Sequence, residues 1–166
     1  RLVTNGTQLN NHNNQPVIKN GIVGVHNGII VNNNQLWESH KSIIRQSEID
    51  TEILVALIAQ AIRGGHTFQN AVNSVIQQLE GTVSTALLSS SFSEAVVATN
   101  NGSLYIAEEA AGQIIIFASE KYILTEATLS AQNLGEFSSS NVRQLKPNQA
   151  LNINLKNLAV SKFQIG

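Results

Sequence analysis

The run Thr51–Arg63 constrains this chain more than any other. It reads Thr-Glu-Ile-Leu-Val-Ala-Leu-Ile-Ala-Gln-Ala-Ile-Arg, a helix apolar nearly all round that must be covered on most of its surface. Asp50 precedes it as a natural N-cap and Gly64-Gly65 stops it. A further helix over 68–79, capped by Thr67, puts Phe68, Ala71, Val72, Val75, Ile76 and Leu79 on one face. From Gly81 the apolar period changes. Segments 82–88, 94–99, 104–107 and 114–118 read as strands, with Asn101-Gly102 as a hairpin turn. A short helix over 119–124, a strand over 137–142, and a closing pair over 150–154 and 158–163 turned by Lys156-Asn157 complete the chain. Helices that need cover beside a long run of antiparallel strands predict an α+β layout, in one domain over 1–166.

Upstream of the buried helix the pattern is less regular. Residues 1–20 read as loop, with Gly6, Pro16 and the cluster Asn10-Asn11-His12-Asn13-Asn14. A disordered linker and a poised substrate loop both fit that composition. Segments 21–25 and 29–31 read as paired strands, and Asn27-Gly28 between them suits a type I′ turn, whose central residues both need positive φ. Asn32 to Asn34 then cap a helix over 35–45, with Leu36, Trp37, Ile43 and Ile44 as candidate buried positions.

Composition excludes several classes of function. Charged residues make up 13% of the chain and the net charge is −1, which gives no field for nucleic acid or an anionic membrane surface. Aromatic residues are 5%, too few for a base-stacking platform. No apolar stretch reaches the roughly 18 residues of a membrane span. There is no cysteine, which excludes thiolate zinc sites and disulfides and fits a cytoplasmic protein. The four histidines (His12, His26, His40, His66) are scattered, so no metal is expected.

Six polar positions have chemical potential. Arg1 can grip a carboxylate with a planar pair of donors. Asn27 offers a side-chain amide and Gly28 a backbone N–H that no Cβ obstructs, and two convergent neutral donors suit an oxyanion. Asp50 can hold an ammonium group, and Thr4 and Asn5 add polar groups near Arg1. By spacing alone the same residues amount to a hairpin turn, an N-cap and a solvated terminus.

Two runs lift them above that. Gly24-Val25-His26-Asn27-Gly28-Ile29-Ile30-Val31-Asn32 followed by Ser47-Glu48-Ile49-Asp50-Thr51-Glu52 resembles the class II glutamine amidotransferase domain, an N-terminal-nucleophile hydrolase. The likeness is strongest to the glutaminase domains of glucosamine-6-phosphate synthases. Arg1-Leu2-Val3-Thr4-Asn5-Gly6 is similar to that family's Arg-Trp-Ala-Thr-His-Gly segment, with Leu2 in place of tryptophan and Asn5 in place of histidine. Gln15-Pro16, Leu79-Glu80-Gly81-Thr82, Ala98-Thr99-Asn100-Asn101-Gly102-Ser103 and Phe117-Ala118-Ser119-Glu120 also match family segments, in the family's order.

The resemblance implies an αββα four-layer sandwich, incomplete at the N-terminus because the family's nucleophile-bearing strand lies upstream of Arg1's counterpart. It implies that Asn27 and Gly28 form the oxyanion hole. Arg1 and Thr4, beside Asn5 and Gly6, would bind the glutamine α-carboxylate, and Asp50 the α-ammonium. The family's nucleophile is an N-terminal cysteine whose own amine acts as base, and Arg1, permanently protonated, cannot replace it. The expected function is hydrolysis of glutamine to glutamate and ammonia for amination of a sugar phosphate, without a cofactor and inactive as this chain alone. The expected partners are glutamine and an acceptor-binding, isomerase-like domain or chain, with homo-oligomerisation left open. A purine-pathway amidophosphoribosyltransferase and a non-catalytic glutamine-binding or scaffold domain are the alternatives.

Overall fold

A computed structural model describes residues 7, 9–137 and 142–166. Strands β1 (Val17–Lys19) and β2 (Ile22–Ile30) lead into helices α1 (Asn33–Ser39), α2 (Thr51–Arg63) and α3 (Phe68–Ile76). Strands β3 (Gly81–Ser89), β4 (Glu94–Thr99), β5 (Tyr105–Glu108) and β6 (Ile115–Ala118) follow. Helix α4 (Lys121–Ser130) and strands β7 (Arg143–Gln144), β8 (Gln149–Asn154) and β9 (Val160–Gln164) complete the order. Six strands form one sheet in the order β1-β2-β3-β4-β8-β9, and β6-β5-β7 form a second. Every pairing is antiparallel.

Side-chain alternation along the strands builds the layers. On β4, Val96 and Ala98 join the cluster that contains Leu54, Ile58, Val72 and Val75 of α2 and α3. Val97, between them, joins Leu151 and Ile153 of β8 and meets Leu104, Ile106 and Leu145 on the second sheet's side. On β5, Ile106 faces that middle core while Ala107 packs with Leu124 of α4 and Phe137. The order is helices, sheet, sheet, helix: the αββα sandwich that the resemblance implies. Helix α2 is buried without interruption from Thr51 to Ala59, as its apolar circumference demands. Thr67 caps α3 by accepting from the Asn70 N–H.

The largest correction concerns Asn27-Gly28. It is no turn: β2 runs straight through it, paired with β3 from Ile22↔Ser89 to Ile30↔Gly81. The tight turn is Asn20-Gly21, with φ of 50° and 81°, joining β1 to β2. Both dipeptides suit a type I′ turn, and the unbroken β2–β3 ladder decides between them. Asn101-Gly102 turns, but it carries the chain from the first sheet to the second and makes no hairpin.

Smaller differences follow from local competition. Helix α1 ends at Ser39, where His40 Nδ1 reaches back to the Leu36 carbonyl at 2.9 Å, and Ile44 lies exposed. Helix α4 extends to Ser130, well beyond the expected short segment. The asparagine-rich run is ordered: Asn11–Asn13 form a 3₁₀ turn, and Asn13 is buried against Glu48. There Asn13 Nδ2 donates to Glu48 Oε2 at 2.8 Å, and the Glu48 N–H donates to Asn13 Oδ1 at 2.9 Å. Residues 138–141 of the expected strand over 137–142 lie outside the described residues. Among the described residues no helix is long and apolar enough to cross a membrane.

Gly24 sets how closely α2 lies on β2. A Cβ there would stand 2.6 Å from Val55 Cγ2 and 2.9 Å from Leu87 Cδ2. Val55 is β-branched and stiff in a helix, so it cannot swing aside. Gly24→Ala is expected to cost about 1–3 kcal/mol by overpacking. Denaturant unfolding measures it, and adding Val55→Ala should recover part of the loss. An unchanged midpoint for Gly24→Ala contradicts this packing.

Candidate functional site

Among the described residues, β2 runs past β1 beyond Gly24, and side chains take over that edge. The hairpin register, Val17↔Gly24 and Lys19↔Ile22, puts Gln15 opposite His26. The Gln15 carboxamide fills the ladder position itself: Oε1 accepts from the His26 N–H at 2.6 Å and Nε2 donates to the His26 carbonyl at 2.7 Å. Nε2 also donates to Thr51 Oγ1, the first residue of α2, at 3.2 Å. Four residues along the same edge, the Ile30 N–H donates to Asp50 Oδ2 at 2.9 Å. Backbone groups alternate in direction along an antiparallel strand, so the Gly28 N–H points to this edge too, between the two side-chain braces.

Gly28 is there because nothing larger fits. Its φ is 140°, and a Cβ would lie 1.9 Å from the Thr82 carbonyl oxygen and 2.9 Å from His26 Nε2. Asn27 points to the opposite side of the sheet from His26. It lines a cleft of about 240 Å³ between the two sheets, together with Gln15, Ser84, Phe117, Ala118 and Ser119. Two motifs far apart in sequence, His26-Asn27 and Phe117-Ala118-Ser119, therefore meet at one cleft. Ser84 stands directly opposite Asn27 in the β2–β3 register. Its Oγ is held by Thr99 Oγ1 at 2.8 Å and donates to Asn101 Oδ1 at 3.2 Å.

Asp50 holds the α2 end of the site. It occupies the N-cap position but makes no capping bond; its side chain turns to β2 instead. Its Oδ1 lies 3.8 Å from His26 Nδ1, and His26 Nε2 donates to the Thr82 carbonyl at 3.2 Å. Burial pushes the Asp50 carboxyl up, but the His26 contact and the Ile30 and Thr51 amides outweigh it, holding the group below its ordinary value. Two residues on, buried Glu52 points the other way. It pairs with Lys19 and accepts from the Gln46 and Ser47 N–H groups and from Ser47 Oγ. Burial raises its carboxyl, and these partners, Lys19 first, lower it further than burial raises it. Lys19 and Arg45 each lie 5.6 Å from the Trp37 ring centre, so the cation pair also clamps α1.

Arg1, Thr4, Asn5 and Gly6 lie outside the described residues. The structure thus puts Asn27 and Gly28 on β2 and brings Asp50 to the same strand two residues further on, through the Ile30 N–H. It adds Gln15 at the edge of that strand and buries Glu52 and Asn13, close in sequence to the motifs, three residues to which the sequence reading gave no role. Gln15 was legible only through the hairpin register, which the choice of the wrong Asn-Gly turn concealed. Glu52 read as part of the apolar helix, and Asn13 as loop. Among the described residues no group of three or more His, Cys, Asp or Glu could hold a metal ion.

The layered fold is that of the family the resemblance implies, and comparison with known proteins shows the family itself. Residues 1–126 match the model of the glutamine amidotransferase domain. Glutamine–fructose-6-phosphate aminotransferase (isomerizing) of Escherichia coli K12 is 33% identical over 132 residues, covering 77% of this chain and 21% of that protein. The Pseudomonas putida protein of the same name is 27% identical over 146 residues, 87% of this chain and 24% of the relative. Glutamine phosphoribosylpyrophosphate amidotransferase from B. subtilis superposes with a TM-score of 0.66 at 25% identity, over 92% of this chain and 32% of that one. A glutamine aminotransferase class-II domain protein from Silicibacter pomeroyi gives a TM-score of 0.61 at 18% identity, over 93% and 73%. This chain belongs to the class II glutamine amidotransferase family. It spans about a fifth of the length of the curated relatives it matches.

The two buried carboxylates predict an acid limb in stability. Their folded values lie below the ordinary 3.8 of aspartate and 4.5 of glutamate. Their stabilisation is complete above that range and is lost as pH falls through the lowered folded values. Glu52→Gln should flatten this limb and, by leaving Lys19 buried without its counter-charge, cost about 3 kcal/mol at neutral pH. Denaturant unfolding between pH 2 and 7 checks both effects, and an unaltered acid limb contradicts the assignment.

Proposed function

We propose that this domain hydrolyses glutamine to glutamate and ammonia for an amidotransferase that aminates a sugar phosphate. The observation that carries the reading is β2 in a family member: a side-chain amide on Asn27 at the cleft, and the next N–H, that of Gly28, on the edge that Gln15 and Asp50 brace. In the reaction a thiol attacks the glutamine amide carbon. The carbonyl oxygen becomes an oxyanion held by Asn27 Nδ2 and the Gly28 N–H. The C–N bond breaks, the departing nitrogen takes a proton and leaves as ammonia, and water hydrolyses the thioester to glutamate and free thiol. Arg1 and Thr4, flanked by Asn5 and Gly6, hold the α-carboxylate. Asp50 holds the α-ammonium through Oδ1, since Oδ2 is committed to Ile30.

None of these 166 residues is a cysteine. In this reading the attacking thiol, with its own amine as base, comes from sequence outside them, as does the isomerase-like acceptor domain or chain. The domain then works in the cytoplasm without a metal or cofactor. The sugar-phosphate acceptor is inferred from relatives whose names carry fructose 6-phosphate. The B. subtilis structural relative favours a second reading, with phosphoribosyl pyrophosphate as acceptor.

Asn27→Ala in the complete protein is expected to lower glutamine turnover by roughly 10²–10³-fold, the usual loss for one oxyanion donor. Glutamate release measured with fructose 6-phosphate or with phosphoribosyl pyrophosphate separates the two acceptors. Unchanged turnover in Asn27→Ala contradicts the proposed role. Glutamine binding by calorimetry with no turnover in the complete protein points instead to a non-catalytic glutamine-binding domain.

A further inference from the structure

We propose that Gln15 is a positioning residue for glutamine hydrolysis. Its carboxamide clamps the His26 peptide groups so that Asn27 Nδ2 and the Gly28 N–H converge on one oxygen. The inference rests on the proposed glutaminase reading and adds to it the residue that holds the two donors in place.

The need for such a residue comes from the strand. Among the described residues, β2 has a backbone partner on both sides only as far as Gly24, opposite Val17 at the start of β1. Past that point a strand edge is free to twist, and oxyanion donors work only within about 2.7–3.1 Å of the developing charge. Asn27 and Gly28 lie immediately beyond His26, so the orientation of the His26 peptide groups sets theirs. The Gln15 amide supplies the missing strand at that one residue, accepting from the N–H and donating to the carbonyl.

Although Gln15 lines the cleft, its amide hydrogens are committed to the protein, so it acts through the strand. Oε1 takes the His26 N–H, and Nε2 serves both the His26 carbonyl and Thr51 Oγ1. Both Nε2 hydrogens are used, so no donor remains for a ligand. The Thr51 bond also ties the clamp to the start of α2, next to Asp50, whose own carboxylate braces Ile30. Gln15 and Asp50 thus hold β2 on either side of Gly28. An ionised glutamate at position 15 accepts but cannot donate, and would set a charge against the His26 carbonyl. Its protonated form regains one donor.

The test uses the complete enzyme, with glutamate release as the readout. Gln15→Ala is expected to lower kcat roughly 10- to 100-fold, the scale of a misplaced reacting group, with KM for glutamine changed by less than about threefold. Gln15→Glu, nearly the same size, keeps the protein folded if Gln15→Ala does not. Its kcat relative to the parent should rise as pH falls toward the carboxyl range. The Gln15→Ala, Asn27→Ala double variant should lose less than the product of the two single losses, because one residue acts through the other. Unchanged kcat in both Gln15 variants overturns the proposal, as does a loss confined to KM or a fully multiplicative double variant. If Asn27→Ala retains full turnover, the glutaminase reading itself fails. If Asn27→Ala is impaired while the Gln15 variants are not, only the role of Gln15 fails.

Discussion

The rest of the site depends on how the free edge of β2 is satisfied. Backbone N–H and C=O groups need partners, and a strand that outruns its neighbour leaves a row of them open. Here the Gln15 amide takes both groups of His26, and the Asp50 carboxylate takes the Ile30 N–H. Gly28 stands between these braces with a conformation that only glycine tolerates. Neutral and charged side chains thus serve as a substitute strand on either side of Gly28.

The same few residues join the site to the core. Gly24 lets α2 settle on β2, which brings the first residues of that helix to the strand edge. From that start Asp50 reaches β2, Thr51 reaches Gln15, and Glu52 reaches Lys19 and the loop at Gln46-Ser47. Both carboxylates are buried, and each is held ionised by directed donors. Their stabilisation therefore depends on geometry, since a buried carboxylate without partners is pushed toward its neutral form.

The main elements were legible in the sequence because periodicity reports burial directly, while the four-layer order came from the resemblance. The all-round apolar 51–63 run predicted a covered helix, and the change of period at Gly81 predicted the sheets; both elements stand where expected. The cap at Thr67 was legible for the same local reason. The course of β2 was not. Asn20-Gly21 and Asn27-Gly28 carry the same turn signal, and only pairing with β3, remote in sequence, selects the first. That choice fixes the register that sets Gln15 opposite His26, so the clamp was hidden with it. Asn27, Gly28 and Asp50 were singled out from the resemblance, on a local geometry that the β2–β3 ladder replaces. Asp50 illustrates the limit of local reading: it has the position of an N-cap, while its hydrogen bond goes to a strand twenty residues away in sequence.

The most direct measurement is a crystal structure of the complete protein with glutamine bound, its thiol blocked or replaced to stop turnover. The account predicts the glutamine side-chain oxygen about 3 Å from both Asn27 Nδ2 and the Gly28 nitrogen, with the Gln15 clamp on His26 intact. Glutamine bound away from the β2 edge, or an Asn27 side chain turned from its amide, would contradict it.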